Sequence, residues 1–346
     1  MSLKLKKLNE QVMVITGATS GIGLATARMA AEGGAQLVLA ARDGDALDTL
    51  AHEMRQRGVE VATVTADVGN PADVVRIGEV ADERFGRIDT WVNNAGTSVY
   101  GRNEDVALED MRKVMQTNFW GVVHGSLEAV KRMKGRGGGA IINLGSEVSD
   151  RSLPLQGTYS ASKHAIKAFT ESLRIELEKD KAGISLTVIK PAAIATPFTN
   201  HARSYMEHEP DLPPPTYAPE LVAQAIVHAA QVPERDLYVG AHSKLTSLAG
   251  YLMPRTLDRF MSRTMFRQQQ SDRPNSSARR DALYAPDASQ ELRARNNNAD
   301  HRVVERSPYT SFEMRSAPAK TVLLGGALLA AWALTRKPWQ RRVWHA

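Results

Sequence analysis

The chain of 346 residues contains no cysteine, which excludes disulfides and thiolate metal ligands and fits a reducing compartment. The amino-terminal stretch MSLKLKKLNEQ lacks the apolar region of a signal peptide, so we expect the main domain to be cytoplasmic. The net charge of +6 is too mild to indicate nucleic-acid binding, and the first 260 residues hold no basic stripe interleaved with aromatics. His201 and His208 have no ligand spacing, so we expect surface residues and no metal site.

Short apolar runs alternate with helix-forming segments about six times along the first part of the chain. The predicted strands cover residues 11–17, 35–41, 60–67, 89–96, 139–146 and 184–192. This alternation predicts an α/β fold with a doubly wound parallel sheet, in which right-handed crossovers place helices on both faces. Ligands of such sheets bind at the carboxyl ends of the strands.

The composition changes twice after residue 262. Residues 263–319 are polar, rich in Arg, Asn, Ser and Gln, and without apolar periodicity, which predicts a disordered linker between a main domain (1–262) and a terminal segment (320–346). The terminal segment holds an uncharged apolar run, 321–335, before a basic tail with tryptophans. As a helix the run is about 22 Å long, short of the roughly 20 residues that span a membrane comfortably. A short membrane anchor, an interfacial helix and a helix docked on the main domain all stay open.

A glycine-rich loop, TGATSGIG at residues 16–23, lies between the first predicted strand and the first predicted helix. Gly17, Gly21 and Gly23 allow a tight turn and a close approach of a pyrophosphate to the positive end of the helix. The loop therefore indicates a phosphate-binding site, although its G-x-x-x-G-x-G spacing differs from G-x-G-x-x-G.

Tyr159 and Lys163 lie one helical turn apart, so their side chains would share a helix face. A lysine beside a tyrosine favours the phenolate and draws the phenol pKa toward neutrality, which suits proton transfer. Ser146 precedes the tyrosine by thirteen residues. Taken alone, Ser146 also fits a helix cap and Asn118 fits a buried structural amide.

Together the glycine loop, Asn93-Asn94-Ala95-Gly96, Asn118, Ser146 and Tyr159-x-x-x-Lys163 resemble the short-chain dehydrogenase/reductase family over roughly residues 10–240. The resemblance implies a Rossmann-type fold and hydride transfer between a nicotinamide cofactor and a small carbonyl or alcohol. Tyr159 would be the acid/base, Lys163 would tune it and bind the nicotinamide ribose, Ser146 would hold the substrate oxygen, and Asn118 would support a proton relay. The implied cofactor-binding residues are Gly17, Ser20, Gly21, Ile22, Gly23, Arg42, Asp67, Val68, Asn94, Tyr159, Lys163, Pro191, Ile194 and Thr196. Ala192 stands where the family usually has glycine.

The end of the second predicted strand bears on the choice of dinucleotide. NAD enzymes place an acidic residue there, whereas this chain has Ala41 followed by Arg42, whose donor fork suits a 2′-phosphate. We expect NADP to be preferred, with NAD left open through Asp43. The family also implies a homo-oligomer, and the apolar run at 321–335 hints at membrane association and a lipophilic substrate.

Two other functions are compatible with parts of this sequence. A dinucleotide-binding regulatory or scaffolding protein would keep the fold without turnover, but it would not require Ser146, Tyr159 and Lys163 together. A sugar-nucleotide epimerase or dehydratase also uses a Tyr-Lys pair, yet the glycine-loop spacing disfavours it. The sequence therefore favours an oxidoreductase.

Overall fold

A sheet of seven parallel strands organises the chain, seen in a computed structural model that describes residues 3–276, 278–296 and 302–315. The strands are β1 (Val12–Thr16), β2 (Gln36–Ala41), β3 (Val61–Thr65), β4 (Thr90–Asn93), β5 (Gly139–Leu144), β6 (Ile184–Pro191) and β7 (Asp236–Val239). Their order across the sheet is β3-β2-β1-β4-β5-β6-β7. The doubly wound sheet that the sequence predicts is confirmed, and its order reverses between β1 and β4.

Helices cover both faces of this sheet. Within the described residues, the helices of eight residues or more are α1 (Gly21–Glu32), α2 (Gly44–Gln56), α3 (Pro71–Phe85), α4 (Leu108–Met115), α5 (Gly121–Met133), α6 (Gly157–Lys179), α7 (Pro219–Ala229), α8 (Ala241–Leu252) and α9 (Pro254–Gln268). Side chains alternate along each strand, so β1 sends Met13 and Ile15 into the core with α1, α2 and α7. Val12 and Val14 enter the opposite core with α3, α5 and α6. Burial on both faces explains why the strands are continuous apolar runs.

The described part of the predicted linker is ordered against the main domain, unlike the disordered connector that the sequence predicts. Residues 263–268 complete α9, Gln270–Pro274 pairs antiparallel with His208–Pro210, and Val303–Val304 pairs with Thr216–Tyr217. Much of this extension is held by backbone hydrogen bonds. Because such bonds do not depend on apolar side chains, they produce no hydrophobic period in the sequence. Residues 320–346 lie outside the described part.

Membrane association is predicted for the apolar run at 321–335, which the structure does not describe. Across residues 3–276, 278–296 and 302–315, every helix is too short or too polar to cross a membrane.

Candidate active site

Two neighbouring cavities lie along the carboxyl ends of the central strands. The larger has a volume of about 1090 Å³, part of it open to solvent, and extends from the glycine loop past Ser146 and Tyr159 to Phe198. The smaller, of about 620 Å³, lies between Arg42 and the end of β3. The two cavities share five lining residues: Gly17, Ser20, Ala95, Gly96 and His201. They therefore form one elongated cleft at the point where the strand order reverses, the usual ligand position in this architecture.

The glycine loop is folded tightly against the sheet. Gly17 has φ = 65°, in the left-handed region that favours glycine. A Cβ on Gly23 would lie 1.9 Å from the carbonyl oxygen of Gly17, so no larger residue fits there. The Asn94 amide donates to the carbonyls of Thr16 and Gly17, at 2.9 and 3.1 Å. This packing brings the amino end of α1, with Ser20, Gly21 and Ile22, to the wall of the larger cavity.

Ser146, Tyr159 and Lys163 meet at the larger cavity. Ser146 follows β5, accepts a hydrogen bond from the Val148 N–H at 3.3 Å, and is hydrogen-bonded to the Tyr159 phenol. The ammonium of Lys163 lies 5.6 Å from the centroid of the Tyr159 ring and donates to the carbonyl of Leu144 at 2.7 Å. The first two turns of α6 thus place both side chains on one face, as the four-residue spacing predicts, and bring the Tyr159 phenol to the serine.

Burial controls the ionisation of this group. It raises the pKa of Tyr159, and the hydrogen bond with Ser146 opposes this only in part. Burial also lowers the pKa of Lys163 to about 8. The expectation that Lys163 draws the phenol pKa toward neutrality is therefore not met: Tyr159 holds its proton at neutral pH, while Lys163 stays mostly charged.

Asn118 lies behind the cavities rather than in their walls. It belongs to a π-helical turn, Gln116–Trp120, and is completely buried. Its amide donates to the Thr97 carbonyl at 2.9 Å and to the Ser162 hydroxyl at 3.0 Å, and accepts from the Thr97 N–H at 2.8 Å. The side chain thus ties the segment after β4 to α6, and its role in a proton relay stays a prediction.

The smaller cavity brings together Arg42, Asp67 and Val68. Burial disfavours ionisation of Asp67, but hydrogen bonds from Lys113 at 2.7 Å and from the Gly69 N–H at 2.9 Å outweigh it and lower the pKa of this carboxyl. For Arg42, burial lowers the guanidinium pKa from its very high ordinary value, so it remains a cation.

The last residue of β6, Pro191, and the loop after it, with Ile194 and Thr196, contribute to the wall of the larger cavity. Ala192, which replaces the usual glycine, donates its N–H to the Val239 carbonyl at 3.0 Å. Its backbone avoids the left-handed region, so alanine is accommodated there without strain.

Apolar side chains form the end of the larger cavity beyond Tyr159. They are Val148, Leu153, Phe198, Leu212 and Pro213. Tyr100 also lines this end, and its buried hydroxyl has no hydrogen-bond partner among the described residues.

His201 is a lining residue that the sequence did not reveal, and its predicted surface position is wrong. It lies in the walls of both cavities, and burial lowers its pKa to about 4, so the ring is neutral at pH 7. Its Nε2 is buried without a protein partner in the part of the chain described. Its neighbours in the cleft are distant in sequence, so no local spacing could have indicated this position. His208 is partly exposed.

Comparison with known proteins assigns the fold and cleft to a family. The family described as short chain dehydrogenase matches residues 11–207, and the chain belongs to it. The chain is 46% identical over 337 residues to the uncharacterized oxidoreductase YxnA of Bacillus subtilis, covering 97% of this chain and 93% of that one. It is therefore an oxidoreductase, of the class that acts on CH–OH groups with a nicotinamide dinucleotide.

Two solved structures show the same architecture. A short chain dehydrogenase/reductase from Burkholderia phymatum in complex with NAD has a TM-score of 0.65 and 27% identity, covering 80% of this chain and all of that one. L-Sorbose reductase from Gluconobacter frateurii, complexed with NADPH and L-sorbose, has a TM-score of 0.59 and 28% identity, covering 69% and 97% of the two chains.

Proposed function

We propose that the protein is an NADP-preferring oxidoreductase that interconverts a carbonyl compound and its alcohol, with Tyr159 as the acid/base. The observation that carries the proposal is the meeting of Ser146, Tyr159 and Lys163 at a cleft that continues to a glycine loop and Arg42.

The cleft fits a dinucleotide. The close packing of Gly23 on Gly17 leaves room for a pyrophosphate beside the amino end of α1, and the two cavities offer space on either side. The residues that would hold it are Gly17, Ser20, Gly21, Ile22, Gly23, Arg42, Asp67, Val68, Asn94, Tyr159, Lys163, Pro191, Ile194 and Thr196. When bound, the nicotinamide gives or accepts the hydride.

The protein's own residues move the proton. In the reduction, Ser146 and Tyr159 hydrogen-bond the carbonyl oxygen, and Tyr159 transfers its proton to that oxygen as the hydride reaches the carbon. The charged Lys163 stabilises the phenolate that remains. Because burial keeps the Tyr159 proton in place at neutral pH, the resting site is set for reduction. In the oxidation, the same groups act in reverse.

Arg42 is the basis for preferring NADP. Where NAD enzymes usually carry an acidic residue that binds the ribose hydroxyls, this chain has the uncharged Ala41. The Arg42 guanidinium lies in the smaller cavity, where a 2′-phosphate would bind. The sorbose reductase, similar in fold, is described with NADPH, which agrees with this preference, whereas the Burkholderia protein is described with NAD.

Arg42→Ala should weaken NADPH binding about 10- to 100-fold, because a charge-assisted hydrogen bond contributes roughly 1.5–3 kcal/mol. NADH binding should change less than about threefold. Fluorescence titration with both dinucleotides measures the two constants, and Arg57→Ala, an exposed arginine after α2, is the matched control. Equal losses for NADPH and NADH would refute the phosphate assignment.

The apolar end of the larger cavity supports a substrate with a lipophilic body next to its carbonyl. Val148, Leu153 and Leu212 would contact that body. The Tyr100 hydroxyl, which has no partner within residues 3–276, 278–296 and 302–315, would accommodate one polar group on it.

We also propose that the protein forms a homo-oligomer. Leu108, Trp120, Leu127 and Ile175, on or beside α4–α6, are each about half exposed or more, from 47% for Trp120 to 68% for Ile175. Trp120 and Leu127 lie two helical turns apart and share a face. We infer that this face packs against a second copy of the chain.

A further inference from the structure

The chain beyond α9 crosses the dinucleotide cleft, and we call residues 282–296 the strap. The N–H of Leu292 donates to the Thr19 carbonyl at 2.8 Å, and the N–H of Gly21 donates to the Arg293 carbonyl at 2.9 Å. These two bonds fasten the strap to the glycine loop, at the lip of the cleft formed by β1 and α1.

The strap also reaches the opposite lip. The N–H of Asn296 donates to the carbonyl of Ala195 at 3.2 Å, in the loop that follows β6. That loop carries Ile194 and Thr196, which line the larger cavity. A segment fastened to both lips lies over whatever occupies the cleft between them.

Arg42 is held by the beginning of the strap. Its guanidinium donates to the carbonyls of Ala282 and Leu283, and Leu283 is itself completely buried. A guanidinium has five N–H donors in a fixed plane, so these two bonds set its orientation and leave donors for a ligand. Pro286 and Glu291 of the strap line the same cavity.

The strap covers the cleft without filling it. The smaller cavity remains beneath it, and it still shares lining residues with the larger cavity at the glycine loop. A plug that excluded the dinucleotide would have removed this space.

We propose that the strap is part of the cofactor site: it orients Arg42 toward the adenosine phosphate and closes over the pyrophosphate, so that dinucleotide exchange requires it to open. This inference rests on the function proposed above. It makes residues 282–296 positioning elements for the cofactor rather than catalytic ones.

One side-chain contact that holds the strap lies outside both cavities, so it can be removed without changing a residue that lines them. Arg295 pairs with Glu220 at the start of α7, at 2.8 and 3.1 Å, and with Glu305 at 2.8 and 2.9 Å. The Arg295 side chain is 40% exposed, so Arg295→Ala should fold. Arg273→Ala is the matched control, since Arg273 pairs with Glu209 in the same extension but outside the strap.

The experiment measures NADPH dissociation by stopped-flow displacement and amide hydrogen exchange of the strap in the same full-length proteins. NADPH should slow exchange of the strap amides in the parent protein. Arg295→Ala should release NADPH on the order of tenfold faster and lower the preference for NADPH over NADH, while Arg273→Ala stays within about twofold of the parent. Leu292→Ser, which removes an apolar contact with the core, should likewise speed NADPH release and lower the preference for NADPH over NADH.

Strap amides unaffected by NADPH would overturn the inference. So would a variant whose strap amides exchange faster while NADPH leaves at the parent rate. Failure of the parent protein to bind NADPH at all would instead overturn the proposed function.

Discussion

Lys163 illustrates how a residue of the proposed active site lowers the stability of the fold that holds it. Its side chain is only 5% exposed, and burial lowers its pKa from 10.5 to about 8. The folded protein therefore binds this proton less tightly than the unfolded chain does. The stability penalty is fully present below pH 8, and it disappears as the pH rises from about 8 toward 10.5.

Replacing Lys163 with methionine should abolish turnover and still stabilise the protein, because the buried charge is removed while the apolar stem is kept. We expect a gain of about 2 kcal/mol in the free energy of unfolding at pH 7, shrinking above pH 8. Urea unfolding at pH 7 and pH 9.5 measures it.

Lys167→Met, one turn further along α6, is the control. Lys167 is paired with Asp150 at 2.6 Å, so its loss should give no gain in stability. A Lys163→Met variant less stable than the parent at pH 7 would contradict the account of Lys163.

At this scale the sequence predicts the residues whose contacts are local. The four-residue spacing of Tyr159 and Lys163 and the loop glycines needed no tertiary information. The pKa direction of Tyr159 and the position of His201 could not be predicted, because both depend on burial by segments distant in sequence.

Among the elements, the helices α4–α6 carry the face proposed for self-association. An isologous contact needs the same apolar patch on both copies, which Leu127 and its neighbours supply. Leu127→Glu should therefore dissociate the oligomer, since it would bury two charges at the contact.

Light scattering on the eluting protein measures the mass. The parent should elute as a multiple of 37.9 kDa and the variant closer to a single chain. Leu245→Glu, at a 63% exposed leucine on α8 outside this face, should leave the mass unchanged. A parent mass of one chain, or a Leu127→Glu variant with the parent mass, would refute this interface.

The elements themselves differ in how well their sequences indicate them. Strands β1 to β6 are apolar runs between helix-forming segments, and each predicted strand is found. The short strands of the extension after residue 268 could not be predicted from the sequence. They pair through the backbone, as Gln270–Pro274 does with His208–Pro210, and their polar side chains show no period.

In the whole molecule, one reversal of strand order creates the cleft, and three separate parts of the chain complete it. The glycine loop follows β1, the Ser146–Tyr159–Lys163 group lies between β5 and β6, and the strap returns from beyond α9. The first two parts lie within the region that matches the family, residues 11–207, and their motifs made them predictable. The strap lies outside that region.

The central claim is that Tyr159 transfers the proton in carbonyl reduction by NADPH. The most direct test compares the parent with Tyr159→Phe, following NADPH oxidation over a panel of ketones and aldehydes and NADPH affinity by fluorescence. We predict that the parent reduces at least one carbonyl, and that the variant binds NADPH within about threefold of the parent but turns over at least about 10³-fold more slowly. Turnover by Tyr159→Phe at the parent rate, or tight NADPH binding by a parent that reduces nothing, would contradict the claim.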